Sequence, residues 1–232
     1  MTRGTYKPSE ETKRRLLEAA GELFAQHGVS SVSLREIADR AGVALNAICY
    51  HFGGKDGLVA AVWNCALDRW DDRRLEKYVA DHEALFADRF GQRRLVVGAI
   101  ATLYDQFCEN LDPLWISVFL QRSFITAQCP ERVARVFGVQ MKDVFCGIYR
   151  RITGDANPYA AVCWALTIIS PGSIVTASAT DFTTFKAVES IDVALLRRLQ
   201  ETVTRNALAS VGLGDEENHF TSNEKTTNEK QG

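Results

Sequence analysis

The apolar positions near the amino terminus repeat with the period of an α-helix. They recur three or four residues apart until Gly28 ends the pattern: Leu16, Leu17, Ala20, Leu23 and Phe24. Ser9 is a suitable N-cap, and Glu10 and Glu11 behind it suit the positive end of a helix dipole. The pattern predicts a first helix of about 18 residues beginning at Ser9.

The next stretch predicts two short helices joined by a tight turn. Ser33 and Glu36 form an S-x-x-E capping box, which marks a helix start, and Gly42 supplies the turn. The inward side of this second helix carries apolar residues: Leu34, Ile37, Ala38 and Ala41. A third helix is predicted from Ala44 to Phe52, with Gly53 and Gly54 ending it.

Two short helices braced by a longer one make a helix-turn-helix, over about residues 33–52. Val43 and Ile48 are predicted to face the other two helices. In such a motif the second short helix enters the major groove of DNA. The pattern therefore predicts a DNA-binding unit at residues 1–57.

The remainder of the chain reads as long helices with little strand signal up to about Val211. The prolines there stand where helix breaks are plausible: Pro113, Pro130, Pro158 and Pro171. We predict an all-α fold in which residues 58–213 form a larger helical domain, to which the family resemblance given below assigns ligand binding and dimerisation. The polar residues 214–232 lack an apolar pattern and are predicted to be a disordered tail.

One run, from Tyr159 to Thr180, carries no charge and is long enough to cross a bilayer. Its central Pro171-Gly172 and its hydroxyl residues favour a buried helix pair over a membrane span. An apolar stripe follows: Ile191, Leu195, Leu199, Val203 and Ala207. Together these segments predict the interface of a homodimer, with no membrane partner.

Charge and cysteine content restrict the kinds of binding site that the chain can contain. The net charge of the 232 residues is −2, and the first 57 residues hold eight Lys or Arg against seven Asp or Glu. Nucleic-acid binding must therefore come from where the charges sit, because phosphate contacts are local. The six cysteines form no C-x-x-C pair, which favours reduced, mostly buried thiols over a metal site. The first residues lack a secretory signal, so we expect a cytoplasmic protein with no metal and no cofactor.

The end of the third helix is rich in hydrogen-bond donors. Tyr50, His51 and Lys55 can surround a phosphate, and Lys55 stands near the start of a fourth helix with free amides. Asn46 can pair with adenine in a bidentate manner. Together these interpretations give the predicted DNA-binding set: Ser33, Leu45, Asn46, Ala47, Tyr50, His51 and Lys55.

Other functions remain open at this stage. A Cys49–His51 catalytic pair is disfavoured because residues two apart on a helix point in nearly opposite directions. His27, His82 and His219 do not form a spaced ligand set. A helical carrier or protein-interaction module without sequence-specific DNA binding is the main alternative, and a small thiol enzyme is the third. We predict no catalytic residue.

Aromatic and apolar residues crowd the middle of the chain, and most of them should be core. Helical bundles nonetheless place small-molecule sites between helices, with apolar walls and a few polar groups. Tyr104, Trp115 and Gln121 are candidates for such a wall, although no motif singles them out.

The stretch "SLREIADRAGVALNAICYHFGGKDGL" resembles the DNA-binding domain of the TetR/AcrR family of transcriptional regulators, over about residues 12–60. Its ending is most similar to the subgroup to which the CecR-like regulators belong. The resemblance implies an all-helical homodimer whose two recognition helices read major grooves about 34 Å apart. It also implies that Tyr50 and Lys55 touch phosphates, that the start of the third helix faces bases, and that a ligand-binding domain follows.

The chain departs from the family at Cys49, where Tyr or Asn is common, so we assign Cys49 no contact. The expected function is a ligand-responsive regulator, most simply a repressor, that binds a palindromic double-stranded operator. A small-molecule effector would release it.

Overall fold

The computed structural model describes residues 6–126, 129–178 and 191–214. These residues form helices and turns without any strand, which confirms the predicted all-α class. Of the predicted tail at residues 214–232, all but Gly214 lies outside the described residues. The end of the uncharged run, at residues 179–180, and His219 lie outside them as well.

The first helix, α1, spans Tyr6–His27 and so begins earlier than predicted. The assignment of Ser9 as its N-cap was wrong, because Ser9 already lies within the helix. Pro8 stands in the first turn, where the missing N–H is not needed for an intrahelical bond. The helix ends as predicted before Gly28, whose φ of 78° is in the left-handed region.

The helix-turn-helix is confirmed. Helix α2 spans Leu34–Ala41 and begins with the full capping box between Ser33 and Glu36. Gly42 follows with φ 63° and donates its N–H to carbonyls in the last turn of α2. Helix α3 spans Asn46–Phe52, two residues shorter than predicted at its start, and buries Ile48 completely.

The fourth helix, α4, spans Lys55–Asp68 and belongs to both parts of the chain. It packs against α1 and α3, and it also contacts α7 at Leu114–Ile125. The ring of Trp63 lies 4.3 Å from that of Phe119, centroid to centroid. The domain boundary predicted at residue 57 therefore falls in the first turn of a helix that both sides share.

The larger part of the chain is a bundle of helices. Its helices are α5 at Arg74–Asp81, α6 at Arg89–Glu109, α7, α8 at Glu131–Arg135, α9 at Met141–Thr153, α10 at Pro158–Ala177 and α11 at Val193–Ser210. A 3-10 turn covers Glu83–Ala87, and a π-helical turn at Val136–Gln140 joins α8 to α9. Seven consecutive residues of α7, from Trp115 to Gln121, are buried, because α1, α4 and α10 all pack on this helix.

Pro171 does not break its helix, and the predicted helix pair was wrong. Helix α10 continues through Pro171, which stands in its interior. The Tyr104 hydroxyl donates to the carbonyl of Ile168 at 3.2 Å, three residues before Pro171. At Gly172 the absent side chain lets Phe107 lie directly on the helix, since a Cβ there would be 2.5 Å from the ring. Tertiary contacts thus outweigh the local cost of the proline.

Within the described residues, α10 is the one helix that is long and apolar enough to cross a bilayer, with a mean hydropathy of 1.6. It packs on α6, α7, α9 and α11, as a core helix does. Of the apolar window, 44% is buried inside the molecule. The prediction that this segment is packed within the protein is in agreement with these contacts.

The thiols are free, as expected, but the expectation that most are buried was wrong. Among the six, only Cys146 is buried, while Cys49 and Cys163 are exposed. These two stand on α3 and α10, each of which turns one face away from the core.

Candidate nucleic-acid interface

The outer face of α3 is defined by two rows of side chains that run side by side. Leu45 and Cys49 form one row, and Asn46 and Tyr50 form the other, each with its members four residues apart. All four residues are exposed, whereas Ile48 on the opposite side is fully buried. Packing of Ile48 in the core thus sets the rotation of α3 about its own axis, and these four side chains point to solvent.

Tyr50 is the most prominent of them, with 81% of its surface exposed. Its ring meets the ring of His51 edge-on, with centroids 4.9 Å apart. His51 itself is half-buried. The phenol therefore extends outward beside a second donor, as contact with a sugar-phosphate backbone requires.

Lys55 closes the gap between α4 and the start of α2. Its Nζ donates to the carbonyl of Val32 at 2.6 Å, and the side chain is half-buried. An ammonium has three N–H donors, so two remain for other acceptors. Because Ser33 follows Val32, the bond places the charge of Lys55 beside Ser33. This arrangement could not be predicted from the sequence alone.

Ser33 is exposed, and its capping bonds are formed inside the chain. Its backbone N–H donates to Glu36 Oε2 at 2.7 Å, and its Oγ accepts from the Glu36 N–H at 3.2 Å. The bond from the Ser33 backbone, followed by that from its side chain, lowers the pKa of Glu36.

The predicted set is only partly gathered on one face. Leu45, Asn46 and Tyr50 share the outer face, but Ala47 is half-buried and packs against the core. Cys49 was left out of the set and lies on that face. Its spacing of four from Leu45 was the signal that could have placed it there.

The three residues proposed for an effector wall are all buried, but they face different neighbours. Tyr104 contacts α10, and burial raises the pKa of its phenol. Trp115 packs on Gly21 of α1 and lines a cleft of about 250 Å³ between α1 and α7. Gln121 Oε1 and Trp115 Nε1 are buried without a hydrogen-bond partner among the described residues. Their role in ligand binding stays a prediction.

A second cleft, of about 630 Å³, lies between α5 and the α8–α9 segment. Its walls carry both signs of charge, including Arg73, Glu76, Arg135 and Asp143. This cleft could not be predicted from the sequence, because its walls come from separate helices.

Comparison with known proteins adds to this geometry. The family model described as "Bacterial regulatory proteins, tetR family" matches residues 16–62, from α1 into α4. This part of the chain is thus similar to the bacterial regulatory proteins of the tetR family. The family predicted from the helix-turn-helix residues is thereby confirmed, whereas the CecR-like subgroup stays a prediction.

Two curated relatives match this tetR-family region. The "HTH-type transcriptional regulator AcrR" of Shigella flexneri is 41% identical over 76 residues, which are 33% of this chain and 35% of the relative. The "Probable acrEF/envCD operon repressor" of Escherichia coli strain K12 is 41% identical over 63 residues, 27% of this chain and 29% of the relative. The chain thus matches about a third of the length of these relatives.

The fold likeness extends further than the sequence likeness. A crystal structure of a mutant HlyIIR protein covers 84% of this chain and 98% of its own, with a TM-score of 0.51 and 17% identity. At that identity the likeness concerns the fold alone. It agrees with a tetR-family helix-turn-helix followed by a larger helical part.

Proposed function

We propose that this tetR-family protein is a cytoplasmic transcriptional regulator, most simply a repressor. It binds a palindromic DNA operator as a homodimer and is released by a small-molecule effector. The supporting observation is the outer face of α3, where Asn46 and Tyr50 stand exposed on a helix whose roll is fixed by buried Ile48. A helix packed inside the molecule could not enter a groove.

Each side chain near α3 has a distinct role in this proposal. Asn46 reads a base edge, because its amide presents a donor and an acceptor together. Tyr50 and the free donors of Lys55 bind phosphates and position the helix without reading sequence. Ser33 adds a hydroxyl beside Lys55 at the start of α2.

The homodimer rests on the outward face of α10. This helix carries no Asp, Glu, Lys or Arg, and it exposes a row of side chains to solvent: Tyr159, Cys163, Leu166 and Ile174. An uncharged exposed face of this length is suited to pack on a second copy around a two-fold axis. The predicted stripe on α11 contributes less, because Val203 and Ala207 are already buried within one subunit.

Helix α7 would carry the effector response. It contacts α1 through Trp115 on Gly21, and α4 through Phe119 on Trp63. A ligand that shifts α7 therefore moves both supports of α3. Coupling between two such sites is typically about 1–3 kcal/mol. Repression, rather than activation, is proposed because the E. coli relative is described as an operon repressor.

Selection of bound duplexes from a random DNA pool tests the proposal. We expect an enriched palindrome with half-sites about one helical turn apart. Substituting exposed Ile125 of α7 by Ala serves as the matched control and should enrich the same palindrome. A pool without any enriched sequence at moderate salt would overturn the proposal and favour the helical carrier or interaction module.

A further inference from the structure

We infer that Leu45 packs against the C5 methyl group of a thymine in each operator half-site, next to an adenine read by Asn46. The inference rests on the proposed function and names the chemistry that its recognition helix reads. It makes Leu45 a residue that determines specificity.

Leu45 directly precedes α3, has helical backbone angles (φ −55°, ψ −36°) and makes no side-chain capping hydrogen bond. A leucine at this position therefore does not serve as a helix cap. The side chain is also 49% exposed, so it contributes little to the core. Neither helix capping nor packing accounts for a leucine here, which leaves contact with a partner.

The surroundings of Leu45 are apolar on one side and polar on the other. Ala44 precedes it, and Cys49 lies one turn further along the same row, both exposed. A free thiol behaves as a small hydrophobic group. Asn46 stands in the adjoining row. An apolar row beside a carboxamide matches the major-groove edge of an A·T-containing step, where the thymine methyl is the apolar group and adenine offers its N6 and N7.

The small size of the row favours DNA over a protein as its occupant. Stable protein interfaces cover about 800 Å² on each partner, far more than three small or medium side chains provide. Tyr50 and Lys55 border the row with hydrogen-bond donors, which suit phosphate oxygens at the groove edge.

Uracil substitution tests the inference, because deoxyuridine differs from thymidine only by the absent methyl. In the duplex enriched by selection, each thymine is replaced singly by deoxyuridine, and the dissociation constant is measured at fixed salt. We expect one position per half-site at which the wild-type protein binds about fourfold more weakly, the effect of one buried methyl group.

Two variants of Leu45 separate recognition from folding. Leu45→Ala should bind the thymine and deoxyuridine duplexes equally at that position. Leu45→Ser replaces a side chain that is 49% exposed by a small polar one, so it should melt close to the wild type while also losing the discrimination. Ile125→Ala, which removes an exposed apolar side chain from α7, should keep the fourfold difference.

The outcomes distinguish this inference from the proposed function. An enriched palindrome without any methyl-sensitive thymine, or a Leu45→Ala protein that keeps the fourfold difference, overturns the inference and leaves the regulator intact. A pool that yields no enriched sequence overturns both.

Discussion

Asn46 is an exposed carboxamide on α3 with no structural task in the described fold. Its replacement by alanine should therefore leave the fold intact and remove a base contact. We predict that Asn46→Ala weakens binding to the selected operator by about 1–3 kcal/mol and leaves binding to random DNA almost unchanged. Titration of both duplexes at one salt concentration measures the ratio.

Tyr50→Phe is the matched comparison, because it removes a hydroxyl from the adjacent position of the same row. Loss of a phosphate contact should weaken operator and random DNA alike. Equal losses on both duplexes for Asn46→Ala would contradict the separate roles of these two residues.

At the level of single residues, the sequence predicted the donors of the site but not all of their neighbours. The period of a helix placed Asn46 and Tyr50 on one side correctly. It did not show that Ala47 packs inward or that Lys55 reaches the Val32 carbonyl. That bond depends on how α4 is set against α2, which is a tertiary relation that no local pattern contains.

At the level of helices, the capping box makes the start of α2 sensitive to acid. The bonds from Ser33 lower the pKa of Glu36, so the ionised carboxylate stabilises the folded state above the ordinary glutamate pKa of 4.5. This contribution is lost as the pH falls through the lowered folded-state value. The Glu36→Gln side chain is neutral at every pH, so this variant lacks the stabilising contribution of the charge throughout.

We therefore predict that Glu36→Gln melts below the wild type near pH 7 and that the two melting temperatures converge as the pH is lowered to about 3. Thermal unfolding followed by circular dichroism measures the difference. Glu10→Gln, on the exposed side of α1, is the control and should run parallel to the wild type. If the difference in melting temperature between Glu36→Gln and the wild type does not change with pH, the proposed role of the charge is wrong.

The contact between α1 and α7 depends on the absence of a side chain at Gly21. A Cβ there would lie 2.6 Å from the ring of Trp115, closer than packed atoms allow. Gly21→Ala should destabilise the protein by about 1–3 kcal/mol through overpacking. Denaturant unfolding gives the free energy.

Gly147→Ala provides the opposite case within α9, since nothing lies within 4 Å of its added Cβ. It should stabilise the protein by about 0.5–1 kcal/mol, because alanine favours helix over glycine. A Gly21→Ala protein as stable as Gly147→Ala would show that α1 and α7 can separate freely.

The helix boundaries show where local signals suffice. The capping box and the glycines placed α2 and α3 to within two residues. The predicted N-cap at Ser9 was wrong because α1 begins further upstream. The predicted break at Pro171 was wrong because the contacts of Tyr104 and Phe107 with α10 outweigh the local effect of the proline. Such contacts join residues more than sixty positions apart, beyond the reach of any sequence window.

At the level of the whole molecule, the exposed face of α10 should hold two copies together. We predict that Leu166→Glu, which places a charge in the middle of that face, converts dimers into 25.8 kDa monomers at micromolar concentration. Light scattering coupled to gel filtration measures the mass. Ile125→Glu, at another exposed apolar position, on α7, should remain dimeric. A wild-type protein that is monomeric under these conditions would contradict the homodimer.

The overall architecture was predictable because helical periodicity extends along most of the chain. The pairing of its helices was not. That α7 lies between the DNA-binding part and the bundle, in contact with α1, α4 and α10, could not be predicted, because seven consecutive residues of this helix are buried on every side. Such a run carries no period that reveals its neighbours.

The packing of Trp63 on Phe119 bears on attempts to graft this DNA reader onto another sensor. A chimera joined before α4 would bare the surface that Leu58 and Val62 cover, and one joined after α4 would leave the Trp63 indole without its aromatic partner. A functional chimera must therefore include α4 and a matching α7 together with the DNA-binding helices. The segment that has to be transferred is larger than the helix-turn-helix.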